Sequence, residues 1–182
     1  MPYVDYVGNQ PQIALDRFFG LREAKKDLVG IAIYDHLDRE LPPRLGLEQL
    51  MWNRREIENY LCYPEVLENY AMASAQTDHI GPLFAVAESE KRLSVMRECI
   101  RDLVPPVALR NRGDRWWSEV KASNDYLDRL FDSFFQRLNL PNIMRKSDYH
   151  ILAELVPINL ISVEVMEKLD AIVKVAQDAH PA

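Results

Sequence analysis

The sequence contains few cysteine and histidine residues, and they show none of the spacings that bind zinc. Its 2 cysteines, Cys62 and Cys99, lie far apart and have neither a CxxC partner nor a neighbouring histidine. The 4 histidines form no HxxxH or HExxH pattern, which would put two ligands on one face of a helix. We therefore expect neither a zinc site nor a disulfide, and we expect both cysteines to be buried as small hydrophobic side chains.

The chain also lacks long apolar runs. The run at residues 28–34 falls far short of the roughly 20 apolar residues that a transmembrane helix needs. The N-terminus does not show the basic stretch followed by an apolar stretch that marks a secretory signal. We therefore expect a cytoplasmic protein without a membrane partner.

Positive charge is not in excess, since the net charge is −6. Nonspecific binding to duplex nucleic acid depends on neutralising phosphates with Lys and Arg, so a broad basic surface is excluded and only a local basic patch remains compatible. There is also no GxxxxGK[ST] string, so we expect no nucleotide site in this chain. With 48% hydrophobic and 27% charged residues, the composition is that of an ordinary folded domain.

The first part of the chain alternates between strand and helix patterns. Residues 3–7 favour a strand, 11–26 a helix, and 28–34 a second strand that is apolar enough to be buried on both faces. A strand, a helical crossover and a second strand imply a parallel pair. A further short strand is predicted near residues 48–52, and a helix is predicted from about residue 54 until Pro64.

After residue 62 the patterns become almost entirely helical. Helices are predicted at residues 64–73, 82–103, 123–138, 148–155 and 163–179. The predicted fold class is therefore α/β, with a small, mainly parallel sheet in residues 1–62 and a helical annex in residues 63–182 that packs on it as one compact unit. The last helix has an apolar stripe that suits docking on the core or on a partner.

Asp35 is the first candidate for chemistry. It directly follows the predicted strand at residues 28–34, and ligands of open α/β sheets bind beyond the carboxyl ends of the strands. A carboxylate in that position is a suitable ligand for Mg²⁺ or Mn²⁺. The alternative interpretation is an ordinary aspartate that ends a strand or caps a helix.

Glu56 and Glu58 form the second candidate site, just after the next predicted strand. If a helix begins there, both lie in its first turn, where the helix dipole favours anions. Two residues apart on a helix, they diverge by about 200°, so one of them at most should point at a metal held by Asp35. The alternative is a surface pair between Arg55 and Glu58, with Ile57 packed inward.

The third candidate site combines basic and aromatic side chains. Such a mixture can contact phosphates and stack on exposed bases, as in single-strand binders. The alternative is that adjacent tryptophans pack a loop onto the core while the arginines pair with acidic residues. The residues concerned are Arg110, Arg112, Arg115, Trp116 and Trp117.

The string RREIENYL at residues 54–61, followed by a Pro-Glu helix start, resembles the Toprim segment of OLD-family (overcoming lysogenization defect) nucleases, which are associated with AAA-type ATPases. The strand that ends at Asp35 lies where that family has its metal-binding aspartates. The segments PNIMRKSDYHILAELVP and EVMEKLDAI resemble the helical C-terminal part of the same group. The resemblance covers most of the chain as a C-terminal fragment.

The resemblance implies Mg²⁺- or Mn²⁺-dependent cleavage of phosphodiester bonds in DNA or RNA, in a cytoplasmic protein with a role in phage defence. It implies an ATPase portion upstream or in a separate chain, and it allows a homodimer. The implied metal ligands are Asp35, Asp38, Glu56 and Glu58; the implied catalytic residues are Glu56, Glu58 and Lys146; and Arg54 and Arg55 join the implied nucleic-acid contacts.

The chain departs from the family pattern in two places. The family opens with a strand that ends in Glu-Gly, whereas this chain begins MPYVDYVGN, and the family's DxD pair here reads Asp35-His36-Leu37-Asp38. A catalytically inert docking or regulatory module of the same fold, working with an ATPase, is therefore the alternative function.

Overall fold

A computed structural model describes residues 3–76 and 82–179. The protein is of mixed α/β class, with a two-stranded parallel sheet and many helices. The helices and strands in chain order are α1 (Pro11–Ala24), β1 (Gly30–Tyr34), β2 (Leu47–Met51), α2 (Pro64–Gln76), α3 (Pro82–Leu103), α4 (Pro106–Arg110), α5 (Trp116–Glu119), α6 (Asp128–Leu138) and α7 (Val163–Asp178). No helix among the described residues is long and apolar enough to cross a membrane.

The described residues fall into two compact units. The sheet unit contains residues 3–53 together with 162–179, and the helical unit contains residues 54–76 together with 82–161. The boundary predicted after residue 62 therefore lies inside the helical unit. The last helix, predicted to belong to the helical annex, is part of the sheet unit, where α7 packs against β1.

β1 and β2 are neighbours in sequence and pair in parallel, in a register that runs from Gly30 opposite Leu47 to Tyr34 opposite Met51. Trp52 N–H continues this ladder by donating to Tyr34 O at 2.9 Å. The connection, residues 35–46, contains no helix, as Pro42 and Pro43 predict.

The strand predicted at residues 3–7 is wrong. This segment is irregular, with Tyr3 and Val4 exposed, and it is tied to α1 by Arg17, which donates to Tyr6 O at 3.1 Å. Its apolar residues favour a strand only when a neighbouring strand offers backbone partners, and the described residues offer none to it.

The helical unit is built around one large apolar core, in which Tyr126, Phe131 and Phe134 are completely buried. α2, α3 and α6 supply most of it, at the positions that their helical spacing predicts. Cys62 and Cys99 are buried, which confirms the predicted burial of both side chains, and burial raises the pKa of both thiols.

Three predicted helices differ in kind from the observed ones. The helix predicted from residue 54 is wrong, since only the short 3-10 helix Ile57–Tyr60 forms there, after Glu56 in an extended conformation. The segment predicted to be helical from residue 123 begins as the π-helix Ala122–Leu127 before α6, and the one predicted at 148–155 is the 3-10 helix Lys146–Leu155.

We expect Gly46→Ala to destabilise the sheet unit by about 1–2 kcal/mol, because Gly46 has φ +81°, where an L-residue is strained. A methyl group there would also lie 3.1 Å from Leu28 O. Gly20→Ala is the matched control: it lies in α1 with open space around it and should stabilise by about 0.5–1 kcal/mol. Urea unfolding followed by circular dichroism should separate the two variants, and equal stability would contradict this account of Gly46.

Candidate functional site

The carboxyl ends of β1 and β2 meet at one edge of the sheet unit because the strands are parallel. Asp35 directly follows β1 and is half-buried, whereas the side chain of Asp38 is fully exposed. Trp52 and Asn53 follow β2. The structure therefore brings both aspartates predicted as metal ligands to the edge where ligands of α/β sheets bind.

Glu164 also lies at this edge, and sequence reasoning missed it. Its Oε1 accepts a 2.8 Å hydrogen bond from Asn53 N–H, and Lys168 Nζ is 3.9 Å from the same oxygen. The sequence signal was an acidic residue in the first turn of α7, which is common for reasons of helix dipole alone. Only the packing of α7 on β1 shows that this turn reaches the end of β2.

The residues at this edge could supply only some of the ligands of a divalent cation. Among the described residues, no three His, Cys, Asp or Glu side chains form a group that could hold a metal ion. Mg²⁺, however, is commonly bound through one or two carboxylates, with water or substrate phosphate completing its shell. Asp35, Asp38 and Glu164, all described residues, lie at the same edge without forming a group of three metal ligands.

Glu56 is placed in the helical unit, where its carboxylate is buried and accepts several hydrogen bonds. Ser123 N–H donates to Oε2 at 2.8 Å, and Ser123 Oγ lies 2.9 Å from the same oxygen. The backbone of Asn59 donates to this carboxylate as well. A carboxylate so enclosed serves the fold, because its oxygens already have donors.

The neighbours of Glu56 extend this network to the segment 117–123. The side-chain amide of Asn59, which is fully buried, donates to Trp117 O and Val120 O, each at 3.0 Å. Arg55 N–H donates to Ser118 O at 2.9 Å. We call residues 54–60, together with 117–123, the Glu56 network.

Lys146 is the first residue of the 3-10 helix Lys146–Leu155, and its side chain contacts the Glu56 network. Its Nζ donates to Ser123 Oγ at 3.0 Å, so Ser123 connects two of the predicted catalytic residues, Lys146 and Glu56. Glu58 is half-buried in the same unit, and Ile57, which the alternative interpretation packed inward, is half-exposed. Glu56, Glu58 and Lys146 thus belong to the helical unit, and Asp35 and Asp38 belong to the sheet unit.

The predicted nucleic-acid residues are mostly engaged within the helical unit. Trp117 is 2% exposed and its Nε1–H donates to Ala108 O at 3.0 Å, so its prediction as a base-stacking residue is wrong. Trp116 packs edge-on against Trp117 and Tyr126. Apolar packing accounts for both tryptophans.

The predicted nucleic-acid-binding arginines differ in the contacts that they make. Arg112 pairs with Glu65 and Arg115 with Glu119, whereas Arg55 donates to Glu119 O and Arg110 is exposed. The guanidinium of Arg54 lies 4.5 Å from the centre of the Tyr60 ring and donates to Asn59 O. The pairs on the surface contribute little to stability and remain open to exchange.

Comparisons of this chain with protein-family models, with curated proteins and with solved structures gave no match. The residues and contacts of the two units are therefore the basis for proposing a function.

We expect Ser123→Ala to lower the free energy of unfolding by about 1–3 kcal/mol, because it leaves the buried Glu56 carboxylate with one donor fewer. The matched control is Ser147→Ala, an exposed serine of the same unit whose loss should change stability by less than about 0.5 kcal/mol. In a double-mutant cycle with Glu56→Gln, the two losses should fall short of additivity. Additive losses, measured by urea unfolding, would show that the contact is not energetically important.

Proposed function

We propose that this chain is a Toprim-like, metal-dependent nuclease portion of an OLD-type ATPase-associated protein, and that it cleaves phosphodiester bonds of DNA or RNA. The observation that carries the proposal is the parallel register of β1 and β2, since it puts Asp35 and the Glu164–Asn53 contact at one sheet edge. Such an edge is where this class of sheet binds ligands.

In this proposal Asp35 holds Mg²⁺ or Mn²⁺, with Asp38 and Glu164 as neighbouring carboxylates. A bound divalent cation would activate water and stabilise the leaving oxygen of the phosphodiester. Lys168, close to Glu164, limits the build-up of negative charge at the edge.

The partners in this proposal are an ATPase portion, upstream or in another chain, and a nucleic acid. A cytoplasmic location, a role in phage defence and a homodimer belong to the same proposal. The resemblance of RREIENYL and of the strand before Asp35 to the OLD family supports these points.

A second candidate function is a docking or regulatory module without catalysis. The observation that favours it is the environment of Glu56. Its carboxylate is buried, accepts hydrogen bonds from Ser123 and Asn59, and so contributes to the fold. In addition, α7 exposes Met166, Leu169 and Val173, which a partner could cover.

We expect Mn²⁺ to bind the full chain with a heat signal that Asp35→Asn removes, because the substitution deletes a charged oxygen ligand. Asp27→Asn is the matched control, since Asp27 precedes the same strand at its other end and is an exposed aspartate of the sheet unit. Its binding curve should match that of the unmodified chain in isothermal titration calorimetry.

The titration also separates the two candidate functions. Loss of binding in Asp35→Asn alone supports the metal site, and cleavage of labelled DNA and RNA with Mn²⁺ and the ATPase portion then tests the nuclease. Absence of any Mn²⁺ signal in the unmodified chain at millimolar concentration, or equal binding by both variants, would favour the docking module.

A further inference from the structure

The helical unit has a cleft between α2, α3 and α4 to which the proposed function gives no role. Its volume is about 280 Å³, near the lower end of the range for pockets that bind small organic ligands. The floor is apolar, and its residues Ile100, Ala108 and Trp117 are almost completely buried. Such a floor favours a ligand group with an apolar face, such as an aromatic ring.

Three arginines line the same cleft, and one of them lacks an acidic partner within the described residues. Arg97 pairs with Glu68 at 2.9 Å, and Arg112 pairs with Glu65. The side chain of Arg101 makes one hydrogen bond among the described residues, from its Nε to Arg97 O at 3.3 Å. The terminal N–H groups of Arg101 are therefore available to an anion, and a guanidinium suits phosphate in particular.

The cleft adjoins a second cavity along α3. Arg97 and Arg101 line both cavities, and Ser94 lines the second one. Because the two cavities share these arginines, a ligand longer than the cleft can continue past them along α3. This arrangement suits a polymer whose charged backbone passes the arginines while one side group enters the cleft.

The carboxylate of Glu65 offers a hydrogen-bond acceptor to a ligand in the cleft. Its Oε1 contacts the guanidinium of Arg112, whereas its Oε2 is buried and accepts no hydrogen bond within the described part of the chain. A buried acceptor without a donor is unfavourable, and an N–H group of a ligand would satisfy it. The last torsion of a glutamate side chain is broad, so a small rotation can direct this oxygen to the ligand.

An apolar floor, a free guanidinium and an unsatisfied carboxylate oxygen together match one nucleotide of a single strand. Proteins bind unstacked bases through the face of the ring and through hydrogen bonds to its polar edge. A carboxylate accepts from the amino group of a base, as Glu does from cytosine N4, and arginine pairs with phosphate. The net charge of −6 is compatible with such a site, since only a few phosphates are contacted.

We propose that this cleft binds one unstacked base that carries an amino group, from a single-stranded nucleic acid. Glu65 accepts a hydrogen bond from the amino group, and Arg97 and Arg101 bind the neighbouring phosphate. The inference rests on the proposed function and deepens it, because it names a strand-binding site in the helical unit and a preference among the bases.

The first test is fluorescence anisotropy of labelled single strands with the full chain in the absence of metal. We expect Arg101→Gln to weaken binding of short oligodeoxycytidine about fivefold and to reduce the slope of log K against log salt by about 0.7, the value for one phosphate contact on a single strand. Arg129→Gln is the matched control, since Arg129 is an exposed arginine of α6 that does not line the cleft. Equal losses in both variants would overturn the site, because they would show only general charge attraction.

The second test compares bases. The unmodified chain should bind oligodeoxycytidine about fivefold more tightly than oligothymidine, which has no amino group, and Glu65→Gln should remove this preference. Equal affinity of the unmodified chain for the two strands, or a preference that survives in Glu65→Gln, would overturn the role of Glu65. The first comparison needs no variant, so it holds even if Glu65→Gln lowers the melting temperature.

These measurements separate the cleft from the proposed metal site. Absence of binding to any single strand would overturn the cleft, while Mn²⁺ binding that depends on Asp35 would leave the metal site standing. Strand binding that depends on Arg101, together with no Mn²⁺ signal in the unmodified chain, would support the cleft and overturn the metal site. Equal melting curves for Arg101→Gln and Arg129→Gln would show that lost binding is not lost folding.

Discussion

The helical unit depends on one buried carboxylate, that of Glu56. A charge removed from water must find hydrogen-bond donors, and here Asn59 supplies one from the next turn and Ser123 supplies others from a distant segment. The side-chain amide of Asn59 also donates to Trp117 O and Val120 O, so the same two segments are joined by a second set of buried hydrogen bonds. Glu56 therefore has a structural task, whatever chemistry the neighbouring surface performs.

Much of the fold is determined by local pattern. The periodicity of α1, α3 and α6 and the short apolar run of β1 are visible in the sequence because a helix or strand that packs on one side must repeat its apolar residues. The extended Glu56 was not predictable, since RREIENYL has good helix formers and the contact of Glu56 with Ser123 comes from a residue 67 positions further on. The strand prediction for residues 3–7 was wrong for the converse reason. A strand needs a neighbouring strand for its backbone hydrogen bonds, and the sequence does not say whether one is present.

The candidate site was predictable to the extent that strand ends determine it. Asp35 and Asp38 could be located because a parallel strand directs the residues after it to a known edge. Glu164 could not, because its position depends on how α7 packs on β1. The prediction that Trp117 stacks on bases was wrong because an aromatic pair beside basic residues has the same sequence pattern whether it stacks on bases or fills a core.

The segment between β1 and β2 has two tasks at once. Parallel strands need a return path of about a dozen residues, and residues 35–46 are close to that lower limit. The same stretch carries Asp35, His36 and Asp38. Evolution can lengthen this connection at little cost to stability, since longer loops close almost as easily. Shortening this connection would strain the pairing of β1 with β2 and displace these side chains together. The length of the connection and the positions of the side chains that it carries therefore cannot vary independently.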